Sequence, residues 1–322
     1  MGLAIKIVLL LVFAAVTALI VFFIFFLLRP VAMTVWLRRS ALRRAGFRKT
    51  KLTTTVGKQI VWHGGDGPLL VLLHGAGDQA GTWNKVAPEL QSHFQLVIPD
   101  LAGHGESDPV AGALSLGTLL TALEQALDRT PWRAAPMVLA GNSLGAWMAM
   151  LYAQKYPHRV TRVILIDGGP IRNVSEIGLM PKSREEARRT LDAVLDPSTP
   201  RSPNFVLDDL VRVSPTGPIS RLLAAGEEDM SKYLLEDKMA TFQLPVDLIW
   251  GASDRLVPLD YAKKLHSQLP HCTLTVIDRC GHAPQLERPR ELTRVLLQIL
   301  ASDSSRASAA EHSVSKQSGE NS

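Results

Sequence analysis

The chain has 322 residues, of which 46% are hydrophobic and 20% are charged, which is typical of a globular protein and excludes an intrinsically disordered one. Two cysteines are too few for a disulfide framework and agree with a reducing compartment. The net charge is +5, but residues 1–51 hold nine basic and no acidic side chains, so residues 52–322 have a net charge of −4. The positive charge is therefore confined to the N-terminal segment and does not indicate a nucleic-acid partner.

An uninterrupted apolar run lies near the N-terminus. Ile7 to Leu28 carries no charge, and its 22 residues would rise about 33 Å as a helix, enough to cross a hydrocarbon core of about 30 Å. The alternative is a cleaved signal peptide, but the run is long for one, only Lys6 precedes it and no small-residue cleavage site follows it. We therefore predict a single-pass transmembrane anchor over residues 1–30.

The segment after the anchor, residues 31–52, is basic. Its arginines are interleaved with apolar residues, which favours a short helix in the headgroup region that contacts anionic lipid, each basic group contributing about 1 kcal/mol. Positive charge on this flank also predicts that everything after the anchor lies on the cytoplasmic side.

From about Thr53 to residue 301, short apolar strands alternate with helical stretches. Several of the strands are continuous apolar runs, as expected for strands buried on both faces of a mostly parallel sheet, so the pattern predicts a three-layer α/β domain over residues 53–301. The predicted strands are Gln59–Trp62, Leu69–Leu73, Gln95–Pro99, Met137–Ala140, Val160–Ile166, Val246–Trp250 and Thr273–Ile277. The predicted helices are Leu114–Asp128, Leu144–Tyr156, Tyr261–Gln268 and Arg290–Leu300.

Between residues 168 and 241 the alternation stops, and the chain is mostly helical and charged. Ser183 and Glu186 stand in capping-box spacing before a helical pattern, which indicates a helical cap inserted between two strands. Residues 302–322 are polar and of low complexity, and we predict that they form a disordered tail.

The ends of the predicted strands carry the residues of a serine nucleophile system. Ser143 lies between Gly141 and Gly145, directly after one strand and before a helix, while Asp254 and His282 follow two later strands. Carboxyl ends of parallel strands meet at one sheet edge, so these side chains should converge. There His282 would take the proton of Ser143, and Asp254 would orient the imidazole. The order Ser…Asp…His is that of α/β hydrolases.

Two assignments have alternatives. The oxyanion formed during attack needs two backbone N–H donors, for which Leu144 and Ala76 are the candidates, with Gly77 as the alternative to Ala76. Asp167 also ends a strand and is the alternative acid. The residues predicted to be structural rather than ligands or nucleophiles are His74, His104 and Cys280. No spacing indicates a metal or dinucleotide site, so we expect no cofactor.

Five stretches together resemble the α/β-hydrolase superfamily over about residues 53–300, and the chain is most similar to its membrane-anchored monoacylglycerol-lipase-like members. They are "LLHGAG…TW", "VIPDLAGHGESD", "LAGNSLGAWMAMLYAQKYPHRVTRVILID", "PVDLIWGASDRLVPLDYAKKL" and "IDRCGHAPQLERPRELTRVLLQIL". The resemblance implies Ser143 as nucleophile, Asp254 as acid, His282 as base, and Ala76 and Leu144 as oxyanion residues.

The expected function is a serine hydrolase that cleaves carboxylic esters of lipid-like or apolar substrates. The alternatives are a carbon–carbon or thioester hydrolase with the same triad, or a non-catalytic membrane-tethered binding module. Many relatives continue the serine motif with a second glycine, whereas Ala146 and Trp147 follow here, so the pocket is expected to be shaped differently.

Overall fold

A computed structural model of the chain describes residues 2–173 and 177–301. Its strands are β1 (Arg48–Thr54), β2 (Gly57–Gly64), β3 (Leu69–Leu73), β4 (Gln95–Pro99), β5 (Met137–Asn142), β6 (Val160–Ile166), β7 (Val246–Gly251) and β8 (Cys272–Ile277). They form one sheet in the order β1-β2-β4-β3-β5-β6-β7-β8. The pairs β1/β2 and β2/β4 are antiparallel, and every pair from β4 to β8 is parallel.

The helices cover both faces of this sheet, precede it at the N-terminus and fill the insertion between β6 and β7. They are α1 (Leu3–Leu28), α2 (Pro30–Arg44), α3 (Ala87–Leu90), α4 (Leu116–Asp128), α5 (Leu144–Lys155), α6 (Arg184–Val194), α7 (Asn204–Val213), α8 (Pro218–Leu223), α9 (Glu227–Ser231), α10 (Leu259–Gln268), α11 (Pro284–Glu287) and α12 (residues 289–301). Alternate residues of β3 enter opposite cores: Leu69, Val71 and Leu73 pack with α4, α5 and α10, whereas Leu70 and Leu72 pack with α2, α3 and α12. The predicted α/β architecture is confirmed.

The strands β3, β4 and β6 were predicted with their observed bounds and β7 ends one residue later than predicted, but β1 was not predicted. Its sequence, RKTKLTT, is basic and largely polar, and it forms the exposed edge of the sheet, where charged side chains are tolerated. Residues 48–52, assigned above to the juxtamembrane segment, therefore belong to the sheet. The domain boundary at residue 53 was placed too late.

The basic helix α2 is present, but it packs on the domain. Leu42 is fully buried in the core, and Arg39 bridges Asp100 (3.1 Å) and Glu106 (3.0 Å), the Asp100 side chain being fully buried. Lys49 also pairs with Glu106, and Arg38 with Asp78. Several of the basic groups expected to contact lipid are thus engaged within the protein.

The apolar N-terminal helix α1 spans 26 residues. Its most apolar 18-residue stretch has a mean hydropathy of 3.3, and none of that stretch is buried. Its last turn contacts the helix α7, where the Phe26 and Phe205 rings meet edge to face at 5.6 Å. The first turn of α2 donates the Val31 N–H to the buried carboxylate of Asp209 on α7 (2.9 Å), which also pairs with Arg212. The end of the apolar helix is therefore fastened to α7.

Helices α6 to α9 lie between β6 and β7, where the inserted cap was predicted. The Ser183 hydroxyl accepts the Glu186 N–H at the start of α6, as the capping spacing predicted. The Glu186 carboxylate accepts the N–H of Lys182, one residue before the cap residue. The predicted tail, residues 302–322, lies outside the described residues.

Candidate active site

Ser143 occupies the sharp turn between β5 and α5. Its backbone has φ +54° and ψ −117°, a conformation that costs a non-glycine residue about 1–3 kcal/mol and that is concentrated at functional sites. The Ser143 N–H donates to the Ile166 carbonyl (2.9 Å), which holds the turn against the end of β6.

The glycines around Ser143 are required by close packing. A Cβ added to Gly141 would lie 2.2 Å from the Gly145 backbone, and one added to Gly145 would lie 2.4 Å from the Leu73 carbonyl oxygen. A Cβ on Gly168 would lie 2.6 Å from the Ser143 Cα. The G-x-S-x-G pattern therefore allows the strand, the helix and the loop after β6 to meet at the serine.

Asp254 and His282 lie side by side, as their positions after β7 and β8 predicted. Asp254 Oδ2 is 2.7 Å from His282 Nδ1, and both residues are buried. The other carboxylate oxygen, Oδ1, accepts the N–H groups of Leu256 and Val257, both at 2.9 Å. These two bonds fix the carboxylate, which in turn orients the imidazole so that Nε2 is the nitrogen left for proton transfer.

Asp167, the alternative acid, has a different environment. It is fully buried at φ +48°, and its Oδ1 accepts the Gly251 N–H at 2.8 Å. Burial and, second, the charge of Asp254 raise the pKa of Asp167 well above its usual range. Burial therefore disfavours the charged form of Asp167, whereas Asp254 is hydrogen-bonded to the His282 ring, so the geometry favours Asp254.

Asn142 connects the serine turn to the histidine loop, and the sequence analysis did not single it out. Its Nδ2 donates to the His282 carbonyl (3.0 Å) and to the Ile166 carbonyl (3.2 Å), while its Oδ1 accepts from Gln285 Nε2 (3.1 Å). Asn142 and Gln285 are both buried. The residue before Ser143 thus holds the backbone of His282.

The end of cap helix α6 supports the acid and base loops. The Val194 carbonyl accepts the His282 N–H (2.7 Å), and the Ala193 carbonyl accepts the Arg255 N–H (3.1 Å). The last carbonyls of a helix have no intrahelical partner, so they are free to accept these bonds. The cap therefore contacts both loops directly.

The two predicted oxyanion residues, Ala76 and Leu144, line one cavity with Ser143. Leu144 is the first residue of α5, and a helix start leaves its N–H groups without intrahelical partners. The turn that carries Ala76 is held by His74, which donates from Nδ1 to the Gly75 carbonyl (2.8 Å) and accepts the Leu101 N–H at Nε2 (2.9 Å). Burial lowers the pKa of His74 and lowers that of the neighbouring His104 to about 3. Both are neutral and structural.

The cavity measures about 700 Å³ and is lined mainly by apolar side chains from the core and the cap. Trp147, one turn beyond Ser143, lines it and donates its indole N–H to the Tyr233 carbonyl of the cap (2.9 Å). The charged lining residues Arg172 and Glu227 pair with each other at 3.0 Å. The space next to Ser143 therefore suits an apolar group.

A parallel sheet with a strained serine after its central strand, followed by an acid and a histidine on later turns, is the architecture of an α/β-type hydrolase. The sequence model of the alpha/beta hydrolase family matches residues 70–295, and the chain belongs to this family. The resemblance and the fold class inferred from the sequence are confirmed.

Two curated relatives cover most of the chain. Human monoacylglycerol lipase ABHD6 is 24% identical over 258 residues, covering 74% of this chain and 77% of the relative. The 2-hydroxy-6-oxo-6-phenylhexa-2,4-dienoate hydrolase of Burkholderia cepacia is 27% identical over 258 residues, covering 74% and 89%.

Among solved structures, a bacterial membrane phospholipase A superposes with a TM-score of 0.72 at 23% identity, covering 93% of this chain and 99% of its own. That likeness shows the fold. Together, the family and these neighbours identify a hydrolase.

Proposed function

We propose that the chain is a membrane-anchored serine hydrolase that cleaves carboxylic esters of lipid-like or apolar substrates. One observation carries the proposal: the His282 ring is hydrogen-bonded to Asp254, and the His282 backbone is held by Asn142, the residue directly before the strained Ser143. This links the three groups that acyl transfer requires.

In the proposed reaction, Ser143 Oγ attacks the ester carbonyl carbon while His282 Nε2 takes its proton. The N–H groups of Ala76 and Leu144 would hold the oxyanion, and removing one such donor costs on the order of 10²–10³ in kcat in other enzymes. His282 then protonates the departing alcohol. Water, deprotonated by His282, releases the acid and regenerates the Ser143 hydroxyl.

The apolar cavity and the exposed apolar helix α1 support the preference for lipid-like substrates. An anchored enzyme meets substrates that are dissolved in the bilayer, and the cavity volume of about 700 Å³ leaves room for an acyl chain. The basic flank after α1 supports a cytoplasmic catalytic domain by the positive-inside rule, and protease protection of sealed vesicles tests that orientation.

A carbon–carbon or thioester hydrolase is the second candidate, because the Burkholderia relative is a dienoate hydrolase. A dienoate substrate carries a carboxylate, and in the described part of the cavity the lining cation, Arg172, is already paired with Glu227. This favours a neutral substrate and hence the ester.

Rates on a monoacylglycerol, a p-nitrophenyl ester, an acyl-CoA and a ring-cleavage dienoate test the proposal. We expect the first two to be hydrolysed by the wild type and not by Ser143→Ala. If the dienoate were the only substrate hydrolysed, the proposed ester hydrolysis would be wrong and carbon–carbon bond hydrolysis would be the function. Inertness toward all four would support a non-catalytic binding module.

A further inference from the structure

A second, smaller cavity of about 190 Å³ lies outside the cavity of Ser143, between cap helix α6, the segment that follows it and the loop after β7. Three arginines from these three elements line it: Arg188 from α6, Arg201 from the segment after it and Arg255 from the loop that carries Asp254. Guanidinium groups converging from separate elements are a common way of holding a tetrahedral oxyanion, because each presents a planar fork of donors.

The arginines of this cavity differ from the other arginines of the cap in their partners. Five of the seven cap arginines bind carboxylates or backbone carbonyls: Arg172, Arg184, Arg189, Arg212 and Arg221. The other two, Arg188 and Arg201, have no side-chain hydrogen bond or ion pair to any described residue, and neither has Arg255. The two cap arginines that have no side-chain partner among the described residues therefore line the same cavity.

Two carboxylates also line the cavity. Asp196 is buried, and its oxygens are taken up by the hydroxyl groups of Ser198 and Ser253 and by the Ser198 N–H. Arg288 donates to the same Ser198 hydroxyl at 3.0 Å. Asp192 lies one turn along α6 from Arg188, yet no ion pair joins them. Three guanidinium groups against two carboxylates leave the site with a net positive charge.

We propose that Arg188, Arg201 and Arg255 form a binding site for a phosphate group, separate from the ester site. The phosphate is either free inorganic phosphate or the headgroup of an anionic lipid. A lipid headgroup is a candidate because the site lies near the apolar helix α1: α6 packs on α7, and α7 contacts the last turn of α1.

An occupant of this site would touch the loop that carries Asp254, because Arg255 lines the cavity and directly follows Asp254. The Arg255 N–H is bound to the Ala193 carbonyl, next to the Val194 carbonyl that receives the His282 N–H. Phosphate binding does not depend on the proposed ester hydrolysis.

The test is calorimetric titration of the full-length protein with inorganic phosphate, in neutral detergent micelles and a buffer free of other oxyanions. We expect a saturable isotherm whose Kd rises about tenfold or more in Arg188→Gln and in Arg201→Gln, since each loses a charged hydrogen bond. The Kd of Arg201→Lys should lie between those of the wild type and Arg201→Gln, because lysine retains the positive charge but lacks the planar pair of donors of a guanidinium group.

Arg189→Gln is the matched control, since Arg189 neighbours Arg188 on α6 but pairs with Glu185 in solvent. We expect its Kd to stay at the wild-type value, and equal melting temperatures establish that every variant is folded. No saturable isotherm in the wild type, or equal loss in Arg189→Gln and Arg188→Gln, would overturn the proposal.

The same titration in lipid nanodiscs distinguishes the two sources of the phosphate group. If the isotherm disappears in discs containing phosphatidic acid and persists in pure phosphatidylcholine, the lipid headgroup occupies the site. If it persists in both, the ligand is free phosphate.

Discussion

Asn142 Nδ2 donates a hydrogen bond of 3.0 Å to the main-chain carbonyl of His282, across 140 residues of sequence. The residue that precedes Ser143, the proposed nucleophile, therefore positions the backbone of His282, the proposed base, and Gln285 fixes the amide from the other side at 3.1 Å. Because all three residues are buried, removal of the amide leaves the His282 carbonyl without this partner.

This relationship predicts that Asn142→Ala lowers kcat on the order of 10²-fold with little change in KM, since a displacement of about 1 Å at a reacting group has that effect. The pH profile of kcat should also change, because the displaced group is the proposed proton acceptor. Steady-state kinetics across pH measure both effects.

Thr293→Val is the control for Asn142→Ala. Thr293 is a buried residue of α12 whose hydroxyl donates to the Pro289 carbonyl. The Thr293→Val variant should be less stable than the wild type but should keep the wild-type kcat and the wild-type pH profile of kcat. If Thr293→Val reduced kcat as much as Asn142→Ala does, the effect would be one of folding and not of positioning.

Asp254→Asn is expected to lower kcat on the order of 10⁴-fold, as loss of the orienting carboxylate does in serine triads. Asp167→Asn should retain activity within a few-fold, because an amide replaces a carboxyl group that is already neutral. The reverse ranking in an ester assay would make Asp167 the acid.

The Asp167→Asn variant is also expected to gain stability in a pH-dependent way. Burial and the charge of Asp254 raise the folded-state pKa, so the folded state holds a proton that the unfolded state releases above about pH 4, and stability falls as pH rises. Asp167→Asn removes this loss. It should melt higher than the wild type at pH 7, and the difference should vanish near pH 4.

Trp147→Phe should broaden the acyl-chain preference, because it removes the hydrogen bond to the Tyr233 carbonyl and releases that part of the cap from α5. We expect KM to rise for the preferred chain length and to change less for longer chains. Trp132→Phe, in which the altered ring packs against His63, is the control and should leave the profile unchanged. An unchanged profile in Trp147→Phe would show that this contact does not shape the pocket.

Asp209→Ala should destabilise the junction between α1, α2 and the cap by about 1–3 kcal/mol, because Val31 N–H and Arg212 lose a buried partner. The neighbouring Asp208→Ala removes only a solvent-exposed pair with Arg184, which contributes little to stability. Thermal melting and limited proteolysis of the cap compare the two variants. Equal melting temperatures would mean that α7 does not hold the junction.

The apolar strands could be predicted from the sequence because burial on both faces leaves an unbroken apolar run, and β3, β4 and β6 have the predicted bounds. β1 could not, because an edge strand of lysines and threonines lacks that signal. Arg39 illustrates a second limit. Its charge suggested lipid, whereas Asp100 and Glu106, more than 60 residues away, engage it in the fold.

The candidate site also contains residues that the sequence pattern predicts and residues that it does not. Ser143, Asp254 and His282 were identifiable because each follows a strand that the pattern locates. The residues that support them were not: Asn142 and Val194 act through contacts with His282 that join distant parts of the chain. The sequence favoured Asp254 over Asp167 although both carboxyls follow strands, and the structure adds the contact that separates them, the hydrogen bond between Asp254 and the His282 ring.

The proposed reaction requires Ser143 to be a nucleophile that His282 activates. This requirement can be checked by labelling the full-length protein with a fluorophosphonate probe and identifying the modified peptide by mass spectrometry. We expect one adduct on Ser143, abolished in Ser143→Ala and strongly slowed in His282→Ala. Labelling that persists in Ser143→Ala, or a wild-type protein inert to the probe, would contradict it.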